Sequence, residues 1–367
     1  MSGRLGVIVN PLAGLGGRVG LKGSDGSAVQ AEAQRRGGAP VAPQRALEAL
    51  RTLVGEDLRI LTASGPMGET GLRSLDLPCD VALTCTPHPT ARDTVAAAEA
   101  LARVGVDLIL FAGGDGTARD VMAGAGSVPV LGIPGGVKMY SGVFAANARL
   151  AGRLAGQFLR TPAAERRTMT AEVVDVDEAS LARDEPATRL HGLVQVPASP
   201  AIARSKASLP ANEDRDLEAL CRSLASEVEP GCLTIVGPGR TMQMFMAAQN
   251  LPKTLLGVDL VRDRRLVGQD CGEADILAAM EGSPARIIVG LLGQQGCLFG
   301  RGNQQISAAV LRRVDPGRIH ILATAAKVAT LSGLFVDTGD VSVDQRLAGY
   351  VRIGTGPRRT SLIRVDC

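Results

Sequence analysis

The feature that most constrains the fold is the alternation of short apolar runs with segments of helical spacing, which continues to about residue 162. Helical spacing is clearest at 43–54 and 90–104, and both segments lie between apolar runs. Alternation of this kind predicts βαβ units around a parallel sheet, whose ligands bind at the carboxyl ends of the strands. We therefore expect an α/β domain over residues 1–162, with strands at 5–9, 58–61, 81–84, 107–112 and 128–133.

The pattern changes beyond residue 162. Two longer, partly alternating runs at 169–176 and 190–196 predict strands. The other elements predicted in this half are strands at 232–236, 255–260, 286–292 and 319–323, and helices at 216–227 and 242–250. This half therefore reads as a β-rich second domain over residues 163–367. Its C-terminal segment either completes this domain or returns to the first.

Composition and charge exclude several classes of protein. Apolar residues make up 45% of the chain and aromatic residues only 2%, so the core must be aliphatic. The 40 basic and 37 acidic residues leave a net charge of +3, which gives no electrostatic footprint for nucleic acid. No apolar run reaches the ~18 residues needed to cross a bilayer. Neither nucleic acid nor a membrane is an expected partner.

The cysteines, the histidines and the N-terminal sequence predict a cytoplasmic protein without a zinc site. The seven cysteines are odd in number and form no C-x-x-C pair, which favours reduced thiols over a disulfide framework. The opening MSGRLGVIVNP runs directly into a predicted strand and lacks the apolar core and cleavage site of a signal peptide. His88, His191 and His320 are scattered and are interpreted as structural.

The most informative motif is DLILFAGGDGT at 107–117, where a buried strand runs into three glycines that enclose one Asp. Gly113, Gly114 and Gly116 allow a sharp turn and let backbone N–H groups approach phosphate oxygens. The helical pattern that follows adds partial positive charge at its N-terminus. Asp115 is either a catalytic carboxylate beside a phosphate site or the cap of an ordinary strand–turn–helix corner.

GGDGT after an apolar strand resembles the signature shared by NAD kinases and the diacylglycerol and sphingosine-type lipid kinases. Further motifs carry the same resemblance along nearly the whole chain. One is VNP at 9–11 with nearby glycines. GIPGGVK at 132–138 stands where NAD kinases have a glycine-rich segment, and GPGRT at 237–241 resembles the family's TGST turn. Blocks at 21–26, 300–305 and 336–340 resemble one subgroup, the NAD-kinase-like proteins named for acetoin catabolism protein X.

The resemblance implies a two-domain kinase, with a Rossmann-like parallel-sheet domain, a β-rich second domain and the site in the cleft. In that family the Asp of GGDGT is the base or orienting group for the substrate hydroxyl, which here is Asp115. ATP is the implied phosphate donor and Mg²⁺ the implied metal, with no metal ligand assigned. The implied binding residues are Asn10, Lys22, Asp25, Gly113, Gly114, Gly116, Thr117, Gly135, Gly136, Lys138, Gly237, Gly239, Arg240, Thr241, Arg301, Asn303 and Gln304.

Several of these positions also have a simple structural interpretation. The turn at 237–241 could be an ordinary helix start, and the block at 300–305 a polar hairpin. Lys22, Asp25 and Lys138 could be solvated loop residues, since lysine and aspartate are mostly exposed. The acidic turn at 336–340 could hold Mg²⁺ with substrate phosphates or could be a plain turn.

The acceptor is the least determined part of the prediction. NAD kinases hold the adenosine part of NAD with an Asn-Glu pair, and the only such dipeptide here, Asn212-Glu213, lies in a polar stretch. Pro134 also replaces the family's Asn after Gly-Ile. We therefore predict a homo-oligomeric phosphotransferase that uses ATP and acts on a hydroxyl of a nucleotide, nucleoside or related small molecule. The alternative is a nucleotide-binding regulatory module without transferase activity, associated with a metabolic enzyme.

Overall fold

The chain divides into two compact units. The computed structural model describes residues 3–21, 27–136, 139–176, 188–199, 214–227, 229–291, 296–331 and 333–367. Unit 1 comprises Met1–Leu15, Gly23–Gln34 and Ala39–Ser205, and unit 2 comprises Gly16–Lys22, Arg35–Gly38 and Lys206–Cys367. Two short N-terminal segments thus belong to the second unit.

Unit 1 contains seven strands among its described residues: β1 (Gly3–Val9), β2 (Leu58–Ala63), β3 (Cys79–Leu83), β4 (Leu108–Gly113), β5 (Val130–Pro134), β6 (Thr168–Val176) and β7 (Thr188–Pro197). The first five form a parallel sheet in the order β3-β2-β1-β4-β5. The other two pair antiparallel in a separate sheet. The predicted α/β domain with a parallel sheet is confirmed, and the five predicted strands lie within two residues of the observed ones.

The helices of unit 1 are α1 (Ser27–Arg35), α2 (Ala42–Leu50), α3 (Glu69–Arg73), α4 (Ala91–Val104), α5 (Asp115–Ala125) and α6 (Ala148–Arg160), with 3₁₀ turns at Arg51–Leu53, Gly65–Met67 and Ala163–Glu165. The predicted helix at 90–104 is confirmed: a capping box between Thr90 and Asp93 starts it, and left-handed Gly105 ends it. Helix α6 was not predicted, because its buried face consists mainly of Ala and Gly. A Cβ on Gly152 would lie 2.2 Å from the carbonyl oxygen of Ala49 in α2, so the close packing needs a glycine there.

The core of unit 1 lies around the two central strands. β4 is buried along its whole length, and β1 is buried at every position except Arg4. Helices cover both faces of such a sheet, so its central strands read as continuous apolar runs rather than alternating ones. This places the end of β4, and with it GGDGT, at the sheet's carboxyl edge between β1 and β5.

The strands of unit 2 are β8 (Leu233–Val236), β9 (Asp259–Arg262), β10 (Arg265–Gly268), β11 (Ala285–Gly290), β12 (Cys297–Phe299), β13 (Ile319–Leu322), β14 (Leu334–Val336), β15 (Gly349–Gly356) and β16 (Arg359–Asp366). They form one mixed sheet in the order β10-β9-β8-β11-β13-β15-β16-β14-β12. Its middle strands β8, β11, β13 and β15 run parallel, whereas β9, β10 and β16 pair antiparallel with a neighbour. The fold class predicted for the second domain, β-rich, is thereby confirmed.

The helices described in unit 2 are α7 (Asp214–Ser226), α8 (Arg240–Ala247), α9 (Glu273–Ala279), α10 (Ala308–Arg312), α11 (Ala325–Ala329) and α12 (Val341–Leu347), with a 3₁₀ turn at Pro316–Arg318. The strand predicted at 255–260 was placed too early, because the chain forms a loop before Asp259 and only then enters β9. Strands β15 and β16 were not predicted, although Ile353, Ile363 and Val365 show the alternating burial of a strand.

Candidate functional site

Glycines from two neighbouring strand ends meet at the carboxyl edge of the unit 1 sheet. The N–H of Gly135, after β5, donates to the carbonyl oxygen of Gly113, at the end of β4, at 2.9 Å. A Cβ on Gly136 would lie 2.7 Å from the Cα of Gly114, and one on Gly114 would lie 3.2 Å from the Cα of Gly136. The two backbones therefore approach more closely than side chains would allow, and this edge consists of closely packed main chain of which Gly114 is partly exposed.

The loop after β1 completes this edge. Gly14 has a φ of 84°, a left-handed conformation that favours glycine. A Cβ there would lie 2.4 Å from the carbonyl oxygen of Gly135. The segments that follow β1, β4 and β5 thus meet through glycine backbone. Backbone of this kind lets N–H groups reach phosphate oxygens. We call the glycines at 14, 113, 114, 135 and 136 the glycine edge.

Asn10 and Thr117 connect the loops around the glycine edge. The Asn10 side-chain amide donates to Thr117 Oγ1 at 2.9 Å, and its carbonyl oxygen accepts the N–H of Leu12 at 3.1 Å. A Cβ on Gly113 would lie 2.3 Å from Thr117 Oγ1, so buried Thr117 also explains why that position is glycine. Both side chains have protein partners that hold the edge in shape, and their contact with a ligand stays a prediction.

Asp115 is the first residue of α5, and its side chain is directed to the segment after β5. Its two carboxylate oxygens accept the backbone N–H groups of Tyr140, at 2.6 Å, and Ser141, at 2.9 Å. The residue is 5% exposed. Burial raises the pKa of Asp115 to about 6, the hydrogen bonds from Ser141 and Tyr140 offset part of this, and the charge of Asp175 adds to it.

The simple alternative for Asp115, a helix cap, does not describe this geometry. Gly114 is the N-cap residue of α5, and the carboxylate of Asp115 bonds a segment 25 residues away. Ser141 extends the contact, because its fully buried hydroxyl both donates to the carbonyl of Val174 in β6, at 2.9 Å, and accepts that residue's N–H, at 3.0 Å. A buried carboxylate with raised proton affinity beside glycine main chain is an arrangement suited to proton transfer next to bound phosphate.

Three predicted contacts, Lys22, Asp25 and Lys138, lie outside the described residues. The same holds for the Asn212-Glu213 dipeptide. The roles of these residues stay predictions.

In unit 2, the predicted turn at 237–241 joins β8 to α8. Gly239 is the N-cap of α8 with a φ of 108°, and its N–H donates to the carbonyl oxygen of Leu255 at 2.7 Å. Gly237 lies against β11, where a Cβ would be 2.8 Å from Val289 Cγ1. Arg240 is exposed and Thr241 half-buried. The turn has the shape expected of an anion site and equally that of an ordinary helix start.

The block at 300–305 is packed into unit 2. Asn303 is fully buried; its amide donates to the carbonyl of Leu298 at 2.8 Å, and its carbonyl oxygen accepts the N–H of Gly300 at 3.2 Å. Arg301 is also buried, and a Cβ on Gly17 would lie 1.6 Å from Gln304 Oε1. The amide of Asn303 shapes this turn, which reduces its capacity to read a base or sugar.

The acidic turn near 340 is a helix start. Asp340 is the N-cap of α12 and accepts the N–H groups of Ser342 and Val343, both at 3.1 Å. Asp344 in turn accepts the N–H of Thr338 at 3.0 Å and its hydroxyl at 2.6 Å. In the part of the chain that the structure describes, no group of three His, Cys, Asp or Glu side chains is placed to hold a metal.

Comparison with protein families decides the relationship. Residues 5–160 match the ATP-NAD kinase N-terminal domain, and residues 231–365 match the ATP-NAD kinase C-terminal domain. The chain belongs to the ATP-NAD kinase family. Membership indicates a kinase-type phosphotransferase that uses ATP and a small nucleotide substrate. The two matches span most of the chain, whereas curated proteins and solved structures gave no significant match.

Two finer expectations are not settled by family membership. The ATP-NAD kinase domains do not assign the acetoin-related subgroup, which stays a prediction. They also leave the acceptor open.

As to membranes, none of the helices in the described part of the chain has the length and apolar character that crossing a bilayer requires.

The sequence analysis of this ATP-NAD kinase family member missed two features of its site regions. One is the segment 139–141, whose N–H groups hold Asp115 and which has no motif of its own. The other is an ion pair of 3.0 Å between Lys253 and Asp259, whose side chains are 2% and 0% exposed. Lys253 Nζ also donates to the carbonyls of Thr254 and Gly257 at 2.7 and 2.8 Å, which fixes the loop whose Leu255 carbonyl binds Gly239.

Proposed function

We propose that this chain transfers the γ-phosphoryl group of ATP to a hydroxyl of a nucleotide, nucleoside or related small molecule. One observation carries the proposal: a buried carboxylate, Asp115, stands at the carboxyl end of β4 beside the glycine edge. Main-chain N–H groups and the N-terminus of α5 favour bound phosphate. A phosphate site and an adjacent carboxylate are the two parts that transfer to a hydroxyl needs.

Asp115 would act as the base, or orienting group, for the acceptor hydroxyl. A pKa of about 6 leaves the carboxylate ionised at neutral pH while its proton affinity exceeds that of an exposed Asp. Each oxygen accepts one backbone N–H and keeps a second lone pair, since an ionised carboxylate has about four acceptor sites. The N–H groups of Tyr140 and Ser141 therefore orient the carboxylate without using up its capacity.

Mg²⁺ fits this arrangement as an ion that arrives with ATP. Proteins commonly hold Mg²⁺ with one or two carboxylates together with substrate phosphates rather than with a dedicated cage. The glycine edge has the main-chain approach that those phosphates need. The bound ion would neutralise charge on the transferring group. The chain itself would hold the phosphates by N–H groups and position the hydroxyl.

The proposal is tested by Asp115→Asn, with ATP, Mg²⁺ and a panel of NAD, adenosine and small alcohols. Removal of a positioned base lowers rates by roughly 10²–10⁴-fold, so we expect phosphorylation to fall by ~10²-fold or more. ATP should still raise the melting temperature of the variant. Asp120→Asn, the same change on the same helix, is the control and should keep near wild-type activity.

Two results would count against the proposal. Equal activity in Asp115→Asn and the wild type would assign the carboxylate a structural role only. Tight ATP binding by the wild type, with no acceptor phosphorylated, would instead support the regulatory module.

A further inference from the structure

A recess lies in unit 2, at the amino ends of its parallel strands. It encloses about 300 Å³ and is lined by Glu227, Glu229, Arg286, Gly317, Arg318 and His320. Arg286 is the second residue of β11 and His320 the second of β13, and these strands are neighbours. The turn at 237–241 follows the carboxyl end of β8, which runs parallel to β11, so the recess lies at the opposite edge of this sheet.

The cationic side chains of this recess have donor capacity that the protein does not use. Arg286 Nε donates to Thr234 Oγ1 at 2.9 Å, and the rest of its guanidinium makes no hydrogen bond to the described residues. Arg318 Nη2 donates to Glu229 and to Cys232 Sγ, whereas its buried Nε has no partner there. The imidazole of His320 likewise makes no hydrogen bond within the described chain.

The charges around His320 favour a negative ligand. Burial lowers the pKa of His320, Arg286 lowers it further, Glu227 raises it, and Arg318 lowers it again. Glu229 is engaged by Arg318. On β15, the other neighbour of β13, exposed Arg352 lies one residue before Ile353, the partner of Ile321. Arg318 is paired with Glu229, which leaves Arg286 and the imidazole of His320 opposite the single carboxylate of Glu227 among the described lining residues.

We infer that this recess binds a small oxyanion, a phosphate or a carboxylate, with Arg286, Arg318 and His320 as its donors. A planar guanidinium presents paired N–H groups that match two oxygens of such a group. Glu227 and Glu229, which also line the recess, restrict the ligand to one anionic group of modest size. The site is independent of the proposed phosphotransfer, because its residues take no part in the glycine edge.

The test is NMR titration of the histidine rings of the full chain with inorganic phosphate, acetate or sodium chloride at equal ionic strength. A bound anion favours the charged imidazole. We therefore expect the apparent pKa of His320 to rise by about half a unit or more in phosphate or acetate. His88 and His191 should respond to all three salts alike. The oxyanion that raises the apparent pKa of His320 more, phosphate or acetate, identifies the ligand class.

Three arginine variants make the assignment specific. Arg286→Gln should weaken the oxyanion effect on His320 about tenfold, in line with the loss of a charge-assisted bond. Arg265→Gln, the same change at an exposed position on β10, should leave it intact. Arg286→Lys retains the positive charge but lacks the paired N–H groups of the guanidinium. It replaces Arg286→Gln in the test if that variant does not fold, and it should weaken oxyanion binding as well. The inference is overturned if chloride shifts His320 as much as the oxyanions do, or if all variants respond like the wild type.

Discussion

Among single residues, Asp115 is a buried carboxyl whose pKa is raised in the folded chain. Its pKa rises from 3.8 in the unfolded chain to about 6 in the folded one, chiefly because of burial. The folded state therefore holds this proton more tightly, and the unfolding free energy falls as the pH rises through this range. The stabilisation from this group is complete below about pH 3.8 and is lost above about pH 6.

We predict that Asp115→Asn removes this pH dependence. One pKa unit corresponds to about 1.4 kcal/mol, so the wild type should lose up to about 3 kcal/mol relative to the variant between pH 4 and pH 7. Urea unfolding of both proteins at several pH values measures the difference. A constant difference across this range would show that Asp115 titrates as an exposed carboxyl does.

A second residue-scale prediction concerns Gly114. Its φ of −113° suits alanine, but the added Cβ would lie 3.2 Å from the Cα of Gly136 and would occupy the glycine edge. Bound ATP stabilises the wild type by RT ln(1 + [L]/Kd). We expect Gly114→Ala to lose most of this rise in melting temperature.

Gly71→Ala is the matched control for that experiment. Its Cβ would meet only Leu47 Cδ2, at an ordinary 3.5 Å, within unit 1. ATP should stabilise this variant as it does the wild type. An undiminished ATP effect in Gly114→Ala would place the phosphates elsewhere.

At the scale of elements, the loop between α8 and β9 depends on the buried pair of Lys253 and Asp259. Removing one partner of a buried ion pair leaves an uncompensated charge and costs about 3–5 kcal/mol. We expect that loss in unfolding free energy for Lys253→Met and for Asp259→Asn. The double variant should lose less than the sum, because neither charge remains.

The pair of Arg59 and Asp80 is the control for burial. Its length is also 3.0 Å, but its side chains are 61% and 60% exposed. Exposed pairs contribute about 0–1 kcal/mol, so Arg59→Met should have a small effect in the same urea measurement. Similar losses for both pairs would mean that burial does not govern the stability of this loop.

At the scale of the whole molecule, each unit has its own aliphatic core. One cluster joins the five-stranded sheet of unit 1 to its helices, and two others lie in unit 2. Both units contain a match to a kinase domain of the family. The homo-oligomeric state and the cytoplasmic location stay predictions.

We predict that NAD is a poor acceptor compared with adenosine or a small sugar-like alcohol. Sites that hydrogen-bond a substrate discriminate strongly when their polar groups change, and this chain offers only Asn212-Glu213 for the family's Asn-Glu pair. The measurement is kcat/KM for NAD and for adenosine at fixed ATP and Mg²⁺. A clear preference for NAD would identify a divergent NAD kinase.

The sequence by itself determined the parallel sheet of unit 1, the position of GGDGT at the end of β4 and the β-rich character of the second unit. These follow from local patterns, since apolar runs, helical spacing and glycines each act within a few residues. Helix α6 escaped notice because small residues carry no apolar signal, and β15 and β16 because their alternation is short.

Only the tertiary structure decided which groups the side chains of the site contact. Asp115 meets the N–H groups of Tyr140 and Ser141, Asn10 meets Thr117 across 107 residues, and Lys253 is buried against Asp259. Asn303 bonds its own turn, and its contact with a ligand stays a prediction. Burial and hydrogen-bond partners depend on segments far apart in the chain, and these set the proton affinity of a carboxylate. No local pattern contains that information.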